Sequence, residues 1–375
     1  MPDKIMRNEA GEKQISLVFT LDYEIHGNGH GDFYSWAYFP TSHMLDVFDL
    51  SGAKLTIMAE MGHYWAMKRF EDLFSTDIQL FESQLQDAVK RGHDVQLHFH
   101  PQWIDAQLRD GKWHLDYSRT TIERLCNNYE EAFFYLTKGK KDLENLLIPF
   151  DPNYQCTCFR AGYLQMQPSK NIIRALTNAG FVSDSSVQKG TVADNKLRVL
   201  DYSDAYSRYM PWKVSPLDIC KRDDTGHIVE FPILTERRVV NKISNRIRRV
   251  FSGNRIQGTD KIIPAFLSKG MPGKNANEKI LLQNVTKIIE AKSWDYVDFC
   301  RRDSKYLINA IKNVISESRN DKSVKYIPLV LIGHSKDFFF SNHLSIFLDT
   351  CKAMEEIEFD TYSEAVKKYS INYEK

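Results

Sequence analysis

Short apolar runs recur along this chain, and segments with helical spacing fill the gaps between them. Residues 15–21, 54–59, 94–99, 156–160, 181–183, 228–233 and 328–332 read as strands, the last wholly apolar (PLVLI). Met44, Leu45 and Phe48 mark a helix that starts near Thr41 and stops at Gly52. Ile78, Phe81, Leu85, Ala88 and Val89 mark another, stopped by Gly92. A capping box at Thr120 and Glu123 opens a long helix expected to run to about Lys138. Pro168 and Ser169 open a further helix that closes at Gly180. Strands that alternate with helices pair in parallel through right-handed crossovers, so the fold class is α/β. At 375 residues the chain suffices for one large α/β barrel or two ordinary domains.

Polar residues gather at the C-terminal ends of these strands: Asp22 and Glu24, Glu60, His98 and His100, Arg160, Asp184 and His334. Active sites of barrels and open α/β sheets sit on that edge. Successive strand side chains point to opposite faces, so Asp22 shares a face with Glu24, and His98 with His100. Two imidazoles on one face can chelate an ion at about 2.0–2.1 Å each, and neutral imidazole suits zinc, cobalt, nickel or iron. A hydrolase that works with a divalent ion needs an anionic ligand and a separate base. Asp22 and Glu24 supply both. Arg160, ending a buried strand, needs an acid partner, which Asp22 or Asp184 can provide. His334 has the chemistry to protonate a leaving group.

A net charge of +1 gives no general attraction to nucleic acid. No apolar run approaches the ~20 residues of a membrane-spanning helix, and the first residues, MPDKIMRNEAGEKQ, lack the apolar core of a signal peptide. A cytoplasmic protein is therefore expected, with its six cysteines reduced and structural. Cys156 and Cys158 have the wrong spacing for a zinc knuckle. Residues 237–255 carry Arg237, Arg238, Lys242, Arg246, Arg248, Arg249 and Arg255 with no acid between Arg238 and Arg255. Val239, Ile243, Ile247 and Val250 give this stretch helical spacing, so it is either a solvated face on an inserted helix or a contact with an anionic membrane surface or a phosphate-bearing glycan carrier. The GNGHG run at residues 27–31 lacks the lysine and hydroxyl of a phosphate loop. With Phe33, Tyr34, Trp36 and Tyr38 it reads as a substrate loop whose aromatics stack on sugar rings or merely pack the loop.

The order of these motifs resembles that of the polysaccharide deacetylase family. TLDYE resembles the first motif, RGHDVQLHFHPQW the metal-binding histidine motif, residues 159–187 (FRAGY through DSSV) the segment that places an arginine and then an Asp-Ser-Ser turn, and LIGHSKDF the last motif. The resemblance implies a distorted (β/α)7 barrel over residues 1–375, here with a basic helical insertion at about 237–325. It implies a divalent metal, zinc in most members, on Glu24, His98 and His100. Asp22 would be the base, Arg160 and Asp184 would support it, and His334 would be the general acid. Tyr163, Trp103 and Trp36 are the expected substrate contacts. The implied activity is removal of an acyl group, N-acetyl first, from a sugar or glycan precursor, as in the branch associated with O-antigen biosynthesis. Two departures stand out. Position 102, where the family has its second histidine, holds Gln102, so either His100 takes that ligand role or the site is weak. The acidic ligand is Glu24, longer by one methylene than the usual aspartate. A hydrolase of non-sugar amides or formyl groups, or a metal-free glycan-binding barrel, are the rival readings.

Overall fold

A computed structural model describes residues 14–237, 294–319, 324–338 and 342–373. It divides into one unit formed by Met1–Glu236 and Tyr296–Lys375, and a second, Arg237–Asp295. Apart from Arg237, the basic helix expected over residues 237–255 lies outside the described residues.

Seven parallel strands form the staves of the larger unit: β1 (Gln14–Tyr23), β2 (Leu55–Glu60), β3 (Asp94–Phe99), β4 (Cys158–Ala161), β5 (Ser183–Asp184), β6 (Val229–Glu230) and β7 (Tyr326–His334). They follow one another around the sheet in chain order, and β7 returns to pair with β1 along its whole length, from Gln14↔Tyr326 to Asp22↔His334. The ring closes between β6 and β7 through single bridges in place of a ladder. Ile233 and Asp298 bridge in parallel to Val330 and Ile332, and Leu234 N donates to Val330 O at 2.8 Å. This is the distorted (β/α)7 barrel. A short strand, Ile357–Phe359, lies beside the start of β1, and a hairpin of Trp212–Ser215 and Asp218–Arg222 extends the sheet beyond β6.

The outer helices are α1 (Phe39–Ser51), α2 (Met61–Arg69), α3 (Glu71–Lys90), α4 (Tyr129–Leu147), α5 (Lys170–Asn178), α6 (Ser304–Ser318), α7 (His343–Lys352) and α8 (Tyr362–Tyr373). The helix expected from Thr120 to Lys138 is two elements. Glu123 accepts from Thr120 N at 2.7 Å, as the capping box requires, but only one turn follows, Ile122–Cys126. Asn128 then caps α4 by accepting from Glu131 N at 3.1 Å. Asparagine bonds its own neighbourhood more readily than it continues a helix, and two in a row restart the chain here.

Strand alternation sorts the side chains into two cores. Leu17, Phe19, Leu21 and Tyr23 of β1 join the large outer core under the helices. Val18 joins the small inner one with Met58, Cys158, Val330 and Ile332. Helix α8 closes the inner core from below. Tyr362 N donates to Thr56 Oγ1 at 2.8 Å, its ring meets Phe231 at 5.2 Å, and Ser363 bonds Asp94 Oδ2 through N and Oγ at 3.0 and 2.9 Å. All six cysteines are buried and free of disulfides.

Candidate active site

The upper, C-terminal end of the ring collects most of the strand-end residues. Arg160 is fully buried, and every nitrogen of its guanidinium is used. Nη1 donates to Asp22 Oδ1 at 2.6 Å, Nη2 to Thr20 Oγ1 at 2.9 Å and Ser185 Oγ at 3.0 Å, and Nε to Ser185 O at 2.7 Å. Asp22 is thus the acid that Arg160 required. Its second oxygen, Oδ2, faces His334 Nε2 at 3.6 Å and His98 Nε2 at 4.0 Å. Burial works against the Asp22 charge, yet Arg160, His98 and His334 outweigh it and hold the carboxyl below its ordinary pKa.

Glu24 lies one pleat beyond Asp22. Lys336 Nζ binds its Oε1 at 2.5 Å, and Ser335 Oγ donates to its backbone carbonyl at 3.1 Å. Its other oxygen, Oε2, meets His100 Nε2 at 3.0 Å and His98 Nε2 at 3.4 Å. Burial again opposes the charge, but Lys336 and His100 hold Glu24 well below its ordinary pKa. Lys336 lies in the 3-10 turn Ser335–Asp337 that follows β7, so strand parity does not mark it.

His98 Nδ1 is 2.9 Å from the Arg160 carbonyl oxygen. A carbonyl only accepts, so Nδ1 carries the proton and Nε2 turns its lone pair into the cluster. This is the usual way a protein fixes a metal-binding imidazole. Burial disfavours charge on His98, but Asp22 and Glu24 lift its pKa to about 9. The carboxylates that would draw a proton onto Nε2 attract a divalent cation to the same point. His100 is set by its surroundings. Gly162 packs so closely that a Cβ there would lie 2.7 Å from His100 Cγ, and the Tyr163 ring stands edge-on to the imidazole at 4.7 Å. Gln102 is behind His100, its amide 3.0 Å from Nδ1. It stands on the far side of the ring from Nε2, the nitrogen that faces Glu24.

Glu60, at the end of β2, joins the same cluster, and two further acids form a separate group with His334. Asp298 Oδ2 is 3.4 Å and Asp337 Oδ2 3.9 Å from His334 Nδ1. Burial lowers the affinity of His334 for a proton, but Asp298 and Asp22 prevail and raise its pKa. Asp298 lies in an irregular segment without periodicity, so no sequence signal marks it.

Two expected residues are placed elsewhere. Asp184 is on the outer face of β5, because Ser185 takes the inward position beside Arg160. Its carboxyl accepts from Ser186 N and Oγ at 3.0 Å each and shares a hydrogen bond with Glu230, its neighbour on β6. Burial pushes Asp184 up to about 6 and Glu230 well above its ordinary value. Asp184 therefore does not bond Arg160 directly and reaches it only as a nearby charge. Trp103 is buried against His63, at 4.4 Å, and Trp113, at 5.5 Å, so it walls the site without facing solvent. Trp36 and Tyr34 stay exposed, and Trp36 meets His26, two residues beyond Glu24, at 4.5 Å. Tyr163 has a left-handed backbone (φ 57°), uncommon for a large side chain, and its hydroxyl donates to Gly27 O at 3.2 Å. The loop at residues 27–31 is thereby tied to the segment that carries Arg160.

Solved structures similar to this chain include a putative polysaccharide deacetylase from Mycobacterium smegmatis, at 13% identity and a TM-score of 0.49 over 98% of this chain and 94% of that one. A probable polysaccharide deacetylase from Pseudomonas aeruginosa PAO1 aligns at 12% identity and a TM-score of 0.45, over 96% and 92% of the two chains. A putative polysaccharide deacetylase involved in O-antigen biosynthesis, from Bordetella bronchiseptica, aligns at 14% identity and a TM-score of 0.27, over 67% and 66%. No protein-family profile matches the chain, and no curated protein matches it in sequence. No helix among the described residues is long and apolar enough to cross a membrane.

Proposed function

We propose that this protein is a metal-dependent hydrolase that removes an acyl group, N-acetyl above all, from a sugar or glycan precursor. One observation carries the reading: a buried carboxylate, Asp22, has one oxygen clamped by Arg160 and the other turned toward both a cation-shaped cluster and His334. Glu24, His98 and His100 would hold the ion, with zinc as the expected occupant. Their fit rests on three inward atoms that converge on one point: Nε2 of His98, Nε2 of His100 and Oε2 of Glu24. When bound, a divalent ion supplies Lewis-acid polarisation of the acyl carbonyl.

The chain's own residues do the proton work. Asp22 Oδ2 takes a proton from water as the water oxygen bonds to the acyl carbon. Arg160 keeps Asp22 oriented and ionised. His334 Nε2 then gives a proton to the amine nitrogen as the carbon–nitrogen bond breaks, leaving acetate and a free amino sugar. Asp298 orients His334 from Nδ1 and stabilises its charged form. The exposed rings of Trp36 and Tyr34 offer stacking surface for a sugar at the edge of the cluster.

The direct test is acetate release from N-acetylated sugars by protein as purified, stripped with a chelator, and reloaded with zinc. Loss on stripping and return on reloading are expected. Undiminished release by the Asp22→Ala protein would sink the mechanism.

A further inference from the structure

Glu60 has no place in the reading so far, and its geometry is unusual. It ends β2 and is almost fully buried. Its Oε1 is fully employed. Gly62 N donates to it at 2.7 Å, which caps α2, and His100 N donates at 3.2 Å. Its Oε2 is buried with no hydrogen-bond partner. That oxygen points between the two imidazoles, 3.9 Å from both His98 Nε2 and His100 Nε2. A buried carboxylate oxygen without a hydrogen-bond partner is costly, so its persistence calls for an occupant.

The pattern repeats at Glu24. There too one oxygen is anchored, by Lys336, and the other is turned inward. Each glutamate thus offers one oxygen and each histidine one nitrogen, and the four atoms lie within 4.8 Å of one another. Asp22 is built on the same plan but is turned toward His334, which sets it apart as the base.

We propose that Glu60 is a fourth protein ligand of the metal centre, which is held by Glu24, Glu60, His98 and His100, while Gln102 serves only to orient His100. The proposal rests on the metal-centre reading above and deepens it. It also fits Gln102: His100 takes the ligand role that position 102 lacks, and Glu60 adds an oxygen from β2, the strand paired with β3. Two carboxylates and two imidazoles suit a borderline or moderately hard ion such as zinc, cobalt, iron(II) or manganese, and disfavour a soft one.

The test uses the full chain, stripped of metal and titrated with Co²⁺ alone, with affinity and the ligand-field absorption spectrum as readouts. Glu60→Gln keeps a carbonyl oxygen for the Gly62 and His100 amides but removes the charge. The expected result is a spectrum that differs from wild type and an affinity lower by about 10- to 100-fold or more. If that variant does not fold, Glu60→Asp retains the charge, withdraws the oxygen by one methylene, and is expected to show the same direction of change. A wild-type spectrum and affinity in a folded Glu60 variant, with binding still abolished by Glu24→Gln, would overturn the proposal and leave the metal centre standing. A wild-type protein that binds neither Co²⁺ nor Zn²⁺ would overturn both.

Discussion

The two ends of the barrel are built from opposite materials. At the lower end, α8 seats Tyr362 and Tyr369 against Phe231, and the contacts are aromatic and satisfied. At the upper end, Asp22, Glu24, Glu60, His98 and Arg160 are buried together beside Lys336, with Asp22 paired to Arg160 and Glu24 to Lys336. A buried ion pair contributes little net stability over a hydrophobic one, although breaking it costs ~3–5 kcal/mol. The lower end therefore stabilises the ring, and the upper end draws on that stability to hold groups where chemistry needs them.

Substitutions at the two ends should separate along these lines. Arg160→Ala is the most damaging. It leaves Asp22 buried and unpaired, so stability should fall by about 3–5 kcal/mol and acetate release should vanish, read by denaturant unfolding and by product assay. Tyr362→Ala should cost about 3–5 kcal/mol of stability while turnover per folded molecule stays at the wild-type value. A large loss of turnover there would break the division between the ends. His334→Gln reverses that pattern. Turnover should drop by about 10²-fold or more, with the unfolding midpoint shifted only slightly, because His334 lies at the rim.

The smallest effect concerns pH. Asp184 and Glu230 both have pKa values raised in the fold, by burial and by each other. The folded protein thus holds a proton that the unfolded chain releases. The pair costs nothing below the ordinary carboxyl range and destabilises progressively as pH rises through about 6, the value for Asp184. Glu230→Gln should match wild type at pH 4 and exceed it at pH 8, by on the order of 1 kcal/mol. Equal stability difference at both pH values would show that the two carboxyls do not share a proton.

Much of this was legible in the sequence, because a buried parallel strand leaves a continuous apolar run and its polar end is easily seen. Residues 94–99 were read as the strand that forms, and the shared face of His98 and His100 followed from its two-residue period. The same period, counted from Ser185, places Asp184 on the outer face. Trp103 could not be placed this way, since its ring is buried by His63 of α2 and by Trp113, which come from other segments. Asp298 and the break before α4 depend on contacts between distant segments or on a local contest between side chain and backbone. Neither leaves a periodic trace.

The register Asp22↔His334 has a consequence in time. The proposed base and acid sit on strands more than 300 residues apart in the chain, yet are direct neighbours across one ladder. During synthesis the first strand emerges long before its partner, and α8, which closes the lower mouth, is later still. A partly made chain can assemble the imidazoles of β3 and the arginine of β4, but base and acid cannot meet. Catalytic competence would then appear late and abruptly, when the ring shuts, and not by degrees.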